Sequence, residues 1–480
     1  MNLRPVLYIQ GLLLSILSIS MVFPMLADIY FGYDDWKVFF VCIIFTAFFG
    51  GALVLSNRDI EFDISTRQAF ILTNAAWIIL PSFGALPFWL SSLGLSATDS
   101  FFEAMSGITT TGSTVITNLN YTPASILLWR AMLQWLGGIG IIIMAMSVLP
   151  FLKVGGMQIF RTELGEHEKA LPRSGQLAGS IAIVYILLTV FCAFSYMIAG
   201  LEIFDAVAHA MTTISTGGFS TFDDSFDHFP TQGPAVVAIV FMALGGIPFV
   251  LYVKAARGNL SHIVFDSQVR WYFSIILCCF ISIAIYLVYT HNASVSNSVV
   301  LSLFNVISVM TGTGYSHGDI SHWGGFAIML FFFLMAVGGC AGSTSCGIKI
   351  FRFQVLYSIT RVQIKRLLHS NGVFLPHYDG MPLIKSIPSS VMGFVFVYGV
   401  SFSLLTLALS YIGIDFMTSV SGAMTSISNV GPGLGDIIGY TNTFQSLPNS
   451  AKWILCIGML LGRLELFTIL VMFSPRFWRY

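Results

Sequence analysis

Long apolar runs decide most of what this chain can become. Ten of them, at roughly 6–28, 37–57, 69–94, 124–151, 178–200, 234–256, 271–291, 324–340, 388–413 and 452–473, are separated by more polar stretches. A helix of about 20 residues crosses a hydrocarbon core, and most of these runs have that length. A soluble domain carries about 25% charged residues. Here charged residues are 9% and apolar residues 56% of the 480. So few charges cannot keep a surface wet, and backbone inside lipid must be helical or a closed barrel. The expectation is an all-α integral membrane protein. The run after Arg4 has some features of a signal peptide. It lacks a small-residue cleavage site before Asp28 and its apolar stretch is long, so it is read as a helix.

The charges are segregated. With ten spans and a cytoplasmic N-terminus, the C-terminus is cytoplasmic too. Of the 22 basic residues, all but Lys37, Arg130, Lys452 and Arg463 then face the cytoplasm, among them Lys153, Arg161, Lys169, Lys385 and the Arg361–Arg366 stretch. This positive-inside bias sets the orientation. The outer side is acidic, with Asp28, Asp35, Asp99, Glu103, Asp205, Asp223, Asp224, Asp227 and Asp415 among others. These are either tolerated surface carboxylates or a vestibule that attracts cations. A net charge of zero argues against a nucleic-acid binder. The seven cysteines show no zinc-ligand spacing, and buried thiols are expected.

After the first two spans, the rest fall into pairs. Between the members of each pair lies a shorter segment ending in Gly, Thr and Ser. The ends read Thr109-Thr110-Thr111-Gly112-Ser113, Ile214-Ser215-Thr216-Gly217-Gly218, Thr311-Gly312-Thr313-Gly314-Tyr315 and Ser428-Asn429-Val430-Gly431-Pro432. Aligned on Gly112, Gly217, Gly314 and Gly431, they are spaced by 105, 97 and 117 residues. A second landmark follows each: Leu136-Gly137-Gly138, Leu244-Gly245-Gly246, Val337-Gly338-Gly339 and Leu461-Gly462-Arg463. Two landmarks recurring in order four times indicate an internal repeat. The division is 1–66 for two N-terminal helices and 67–173, 174–262, 263–375 and 376–480 for four helix–loop–helix repeats, set in pseudo-fourfold symmetry around one pore.

Non-helical backbone is tolerated at membrane depth only where it is buried or lines a cavity. A half-helix of about 10 residues reaches mid-membrane, and its negative end favours a cation there. Glycine then lets successive carbonyls turn to one side, and four such strands stack oxygen rings that replace the hydration shell of K⁺. The candidate filter is Thr110, Thr111, Gly112; Ser215, Thr216, Gly217; Gly312, Thr313, Gly314; and Asn429, Val430, Gly431. The alternative is simple tight turns between helices, which recurrence at four equivalent places disfavours.

Arg463 follows Lys452 by 11 residues, so it should lie about 16 Å down its helix. An arginine at mid-membrane needs water or a partner. It either lines the pore below the filter and opposes cations, or pairs with another helix; Glu465 lies on a different helix face. The run from Gly338 and Gly339 through Gly342 to Gly347 is too rich in small residues for a firm helix. It forms either a mobile loop under the filter or close helix packing. Its resemblance to a phosphate-binding loop fails at Ile348-Lys349, and no nucleotide site is found on this chain. Gly137-Gly138 and Gly245-Gly246-Ile247-Pro248 should kink their helices. His209 is read as a structural, hydrogen-bonded residue. No catalytic constellation appears, so an enzyme is not expected.

The pattern resembles the Trk/Ktr/HKT superfamily of K⁺ transporters, in its bacterial Trk branch, which carries two extra N-terminal helices. The resemblance covers the whole chain. It implies a K⁺-selective filter at Gly112, Gly217, Gly314 and Gly431, an intramembrane gating loop at 338–347 and a pore arginine at Arg463. It further implies a homodimer in the bacterial inner membrane, docked on a cytosolic nucleotide-binding regulatory subunit that responds to NAD(H) or ATP/ADP. An ion-coupled secondary transporter built from broken helices is the competing class, although its repeats would be inverted.

Overall fold

The computed structural model describes residues 2–58, 65–147, 171–258, 260–291, 294–384 and 386–479. Lys153, Arg161, Lys169, Lys385 and the end of the 124–151 run lie outside the described residues. Among those described, seven helices are long and apolar enough to cross a membrane. Two further spans are sharply bent: Gly233–Gly245 meets Phe249–Ala256 at 91°, and Asn449–Arg463 meets Phe467–Phe473 at 102°. The remaining expected span, 324–340, is a correction. Its helix, Gly325–Ala336, is 12 residues long and stops where the glycine run begins. The chain then runs without helix to Ile350, where the 19-residue helix Ile350–Leu368 starts.

The two N-terminal helical stretches, Arg4–Phe31 and Trp36–Ser56, pack closely. A β-carbon on Gly11 would come within 2.8 Å of the Gly50 carbonyl oxygen, and one on Gly50 within 3.0 Å of that of Gly11. In lipid, such approach of backbones takes over the work of hydrophobic burial.

Each later unit has a leading helix, a half-helix and a trailing helix. The leading helices are Thr66–Gly84, Leu171–Ile198, Ser267–His291 and Ser386–Tyr411. The half-helices, Ala97–Ile108, Ile203–Ile214, Val295–Thr311 and Phe416–Ser428, are 12, 12, 17 and 13 residues long. Three begin on a side-chain cap: Ser96 accepts from Asp99 N, Ser294 from Asn297 N and Asp415 from Thr418 N. Such caps satisfy amides that the first helical turn leaves open. The first trailing helix, Ala124–Ser147, passes through Gly137-Gly138 without a break, whereas the second breaks at Gly246. Only the second has a proline, Pro248, beside its glycines, and proline both lacks an amide donor and clashes with the preceding turn. The Gly137 site serves close approach instead: a β-carbon there would overlap the Ile108 carbonyl at the end of the half-helix. Gly462 makes the same contact with Ile427 O.

One hairpin departs from the all-helical plan. His377–Tyr378 pairs antiparallel with Met381–Pro382 across Asp379-Gly380. Both turn residues are left-handed, with φ of 48° and 78°, which suits a two-residue hairpin.

Candidate functional site

The four loops after the half-helices share one backbone pattern. A left-handed residue is followed by one that is not, then by a left-handed glycine. The φ values are 53° and 89° at Thr110 and Gly112, 50° and 81° at Thr216 and Gly218, 72° and 78° at Gly312 and Gly314, and 53° and 110° at Asn429 and Gly431. The middle residue donates its amide five residues back in every case. Thr111 reaches Ser106 O at 2.9 Å, Gly217 reaches Thr212 O at 2.9 Å, Thr313 reaches Ser308 O at 2.9 Å and Val430 reaches Thr425 O at 3.1 Å.

This register corrects the alignment of the second repeat by one residue. Gly218, not Gly217, is the counterpart of Gly112, Gly314 and Gly431. Gly217 stands with Thr111, Thr313 and Val430. Two adjacent glycines look alike in sequence, and only the alternation of backbone conformation separates them.

The four loops touch in cyclic order. A β-carbon on Gly112 would overlap the Gly217 carbonyl oxygen, one on Gly218 that of Thr313, and one on Gly314 that of Val430. One on Gly431 would come within 2.8 Å of Thr111 O, which closes the ring. Only glycine fits all four positions, because each is both left-handed and pressed against the next loop.

Side chains brace this ring. Thr111 Oγ1 lies 2.8 Å from Thr109 Oγ1, and Thr313 Oγ1 lies 2.7 Å from Thr311 Oγ1. Asn429 Nδ2 donates to Thr111 Oγ1 and to Met459 O, both at 2.9 Å, so it ties the fourth loop to the first. Ser113 Oγ donates to Gly431 O at 2.7 Å across the same junction. Tyr315 inserts its hydroxyl between Thr212 and Thr213 of the second half-helix.

Behind the first two loops lies an ion pair that the charge reading placed on the outer surface. Arg130 Nε donates to Glu103 Oε1 at 2.8 Å, and Arg130 also reaches Ser220 O at 3.0 Å and Thr114 Oγ1 at 3.1 Å. Its guanidinium stacks over Phe219, 4.1 Å from the ring centre. Both members are buried. Gln134, one turn further along that helix, holds Gly217 and Phe219 through its carboxamide. Arg130 and Gln134 were missed as site residues. Their spacing of four puts them on one face of an otherwise apolar helix, and that polar stripe is the signal that could have revealed them.

The acidic vestibule is thinner than the sequence suggested. Asp28 is buried and accepts from Ser125 N at 2.8 Å. Asp99 takes Lys452 Nζ at 2.6 Å, and Asp415 caps a half-helix. Asp223 and Asp224 remain exposed, and Asp223 lines the cavity into which Gly112, Gly218 and Gly314 open. Asp227 joins His317 at 2.9 Å. Burial would raise the Asp227 carboxyl, but the hydrogen bonds from His317 and Gly318 N and the His317 charge outweigh it and hold it below its ordinary value of 3.8. His209 is held at both ring nitrogens, by Asp205 O at 2.9 Å and Ser220 Oγ at 3.1 Å, as expected of a structural residue.

On the far side of the ring, residues 337–349 fold into a closed loop. Its ends are stitched by Gly338 N to Ile348 O at 2.9 Å and Ile348 N to Ala336 O at 3.0 Å. Its tip docks on the break of the second trailing helix: Cys340 N donates to Gly246 O at 3.0 Å, and Phe249 N donates to Gly342 O at 2.9 Å. Gly342 and Gly347 are left-handed, with φ of 76° and 73°. A β-carbon on Gly338 would overlap Cys346 O, and one on Gly339 would press on Ser345 Oγ. The loop reaches the ring through Thr110 Oγ1, 3.7 Å from Cys346 Sγ.

Arg463 is 3% exposed and lies beside this loop. Nη1 donates to Cys346 Sγ at 2.7 Å and to Thr344 O at 3.4 Å, and Nη2 to Gly137 O at 3.1 Å. Its Nε has no hydrogen-bond partner among the described residues. The salt bridge considered for Arg463 is not among these contacts. Glu465 instead pairs with Arg352, which also stacks over Phe394 at 3.7 Å.

Re-entrant half-helices, loops that meet in a ring and trailing helices that break beneath it define a polytopic membrane protein with a transport-type site. The chain belongs to the TrkH family of cation transport proteins, whose pattern it matches over residues 35–480. It is 40% identical over 485 residues to the Trk system potassium uptake protein TrkI of Halomonas elongata, covering 99% of this chain and 97% of that one. It is 34% identical over 488 residues to the Trk system potassium uptake protein TrkH of Escherichia coli K12, covering 100% of both. The fold matches the crystal structure of the potassium transporter TrkH from Vibrio parahaemolyticus with a TM-score of 0.93, at 32% identity and 100% coverage of both chains.

Proposed function

We propose that this chain carries K⁺ into the bacterial cell, as the membrane subunit of a Trk-type system. The observation that carries the reading is the shared backbone pattern of four loops that touch in cyclic order. The relatives named potassium uptake proteins supply the ion. The repeats, at 67–173, 174–262, 263–375 and 376–480 behind the N-terminal helices of 1–66, surround one pore in pseudo-fourfold symmetry. The termini lie in the cytoplasm and the membrane is the inner one.

In this reading the carbonyls of Thr110, Thr111, Gly112, Ser215, Thr216, Gly217, Gly312, Thr313, Gly314, Asn429, Val430 and Gly431 replace water around the dehydrated ion, with Gly218 as the register partner of the other glycines. The negative ends of the half-helices lower the cost of entry. Beneath them Arg463 places a positive charge in the path, and the loop bearing Gly338, Gly339, Gly342 and Gly347 narrows it. Opening moves both. A cytosolic nucleotide-binding regulatory subunit supplies the work for that movement, and the nucleotide binds there rather than on this chain. Two copies form a homodimer, each with its own pore.

The test is cation flux into liposomes that contain the purified chain, comparing K⁺, Rb⁺, Na⁺ and Li⁺, with and without a proton gradient. Flux that favours K⁺ and Rb⁺ and is indifferent to the proton gradient supports a channel-like pore. Equal entry of all four ions would sink the filter, and strict dependence on the proton gradient would favour a coupled transporter.

A further inference from the structure

Gln134 belongs to the trailing helix of the first repeat, yet its carboxamide is spent on the loop of the second. It is fully buried. Nε2 donates to Gly217 O at 2.6 Å, and Oε1 accepts from Phe219 N at 3.0 Å. The amide therefore spans Gly218 as a neighbouring strand would, with one bond on each side of it.

The first and third loops do not need this, and the fourth, with Val430 at that position, is held instead through Asn429 Nδ2 to Thr111 Oγ1 and Met459 O. At the register position of Gly217, the first and third repeats carry Thr111 and Thr313. Their hydroxyls pair with Thr109 and Thr311 two residues back, at 2.8 and 2.7 Å. The second repeat keeps a hydroxyl at the back position, Ser215, but Gly217 has nothing to offer it. Ser215 Oγ turns to Thr212 O at 3.2 Å instead.

Gly217 is not glycine for the sake of its backbone, since its φ is not among the positive values. It is glycine because of its neighbour: a β-carbon there would overlap the Gln134 carboxamide.

We infer that Gln134 is a specificity-determining positioning residue, which replaces the internal hydroxyl brace of the second loop by an external one for which Gly217 makes room. The inference rests on the filter reading above. Gly217 O is the ring partner of the Thr111, Thr313 and Val430 carbonyls. A ring of four oxygens resists shrinking onto a smaller ion only while every loop is held. With the second loop slack, Na⁺ can be coordinated nearly as well as K⁺. Loss of a buried bidentate contact corresponds to roughly a tenfold change in an equilibrium.

The experiment measures the K⁺/Na⁺ permeability ratio in liposomes for wild type, Gln134→Met, Gly217→Thr and the double variant Gln134→Ala/Gly217→Thr. Gln134→Met keeps the volume and removes both hydrogen bonds, and should lower the ratio by about tenfold. Gly217→Thr should lower it too, by collision with Gln134. The double variant removes the two contacts at 2.4 Å and leaves only the residue-134 β-carbon at 2.9 Å, so a small shift lets the new hydroxyl reach Ser215 and the ratio should return toward wild type. That mutual rescue is an outcome that a merely structural role for Gln134 would not produce. A selective wild type with an equally selective Gln134→Met overturns the inference and leaves the filter intact. A double variant no better than either single change also overturns it. A wild type without selectivity overturns the filter, and the inference with it. If Gln134→Met does not yield monodisperse protein, recovery of monodisperse, selective protein in the double variant supports the inference, and no recovery counts against it.

Discussion

Glu465 lies two residues past Arg463 but closes its ion pair with Arg352, across the break in the last trailing helix. Glu465 and Leu466 at that break have positive φ, 61° and 46°. The pair therefore pins a strained turn to the helix that follows the glycine loop. Glu465→Ala breaks a buried ion pair by removing one member, a loss of about 3–5 kcal/mol. Arg352→Leu combined with Glu465→Leu should lose much less. Thermal unfolding of the detergent-solubilised protein, followed by size-exclusion fluorescence, compares the two. Equal losses would show that the ionic contact is incidental.

Arg463→Ala removes a charge from beneath the loops. For an ion about 8 Å away at an effective dielectric of about 20, that charge opposes passage by roughly 2 kcal/mol. Rb⁺ influx through the isolated chain should therefore rise by about 30-fold. Unchanged or reduced influx would mean that Arg463 only holds Cys346 and Gly137 in place.

Gly112→Ser and Gly218→Ser should damage selectivity alike. Each places a β-carbon on a left-handed residue, at about 1–2 kcal/mol, and drives it into the next loop. Gly51→Ala is the control, since nothing lies within 4 Å of a β-carbon there. The K⁺/Na⁺ permeability ratio is the readout. A harmless Gly218→Ser beside a damaging Gly112→Ser would undo the register assigned to the second loop.

The Asp227–His317 link between outer loops should not be lost in mild acid. The folded-state pKa of Asp227 is depressed below 3.8, so its contribution is fully present above that value and lost as pH falls through the folded pKa. The difference in melting temperature between wild type and Asp227→Asn should persist at pH 7 and pH 5 and shrink only below about pH 3.8. A difference that vanishes by pH 5 would contradict this.

Much of the architecture could be read from the chain. Apolar runs locate spans because lipid forbids most alternatives. The small-residue run at 338–347 announced a segment that would not stay helical. Arg463 stood out because charge at that depth is rare. What escaped was of two kinds. One is register: Gly217 and Gly218 are identical in sequence, and only the folded backbone, left-handed at Gly218 and not at Gly217, tells them apart. The other is pairing at a distance. Glu103 and Arg130 are 27 residues apart, and Arg352 and Glu465 are 113 apart, so neither pairing could be read from spacing along the chain. The break at Gly246 and the continuity at Gly137 likewise turn on one neighbour, Pro248.

The fourth landmark carries Arg463 where the other three carry Gly138, Gly246 and Gly339. A homotetramer could not make that exception. Any residue it placed beneath its pore would appear four times, and four guanidiniums crowded together at an effective dielectric of about 20 would repel one another by roughly 2–4 kcal/mol per pair. On the proposed reading, a chain that encodes its corners one at a time needs only a single guanidinium there.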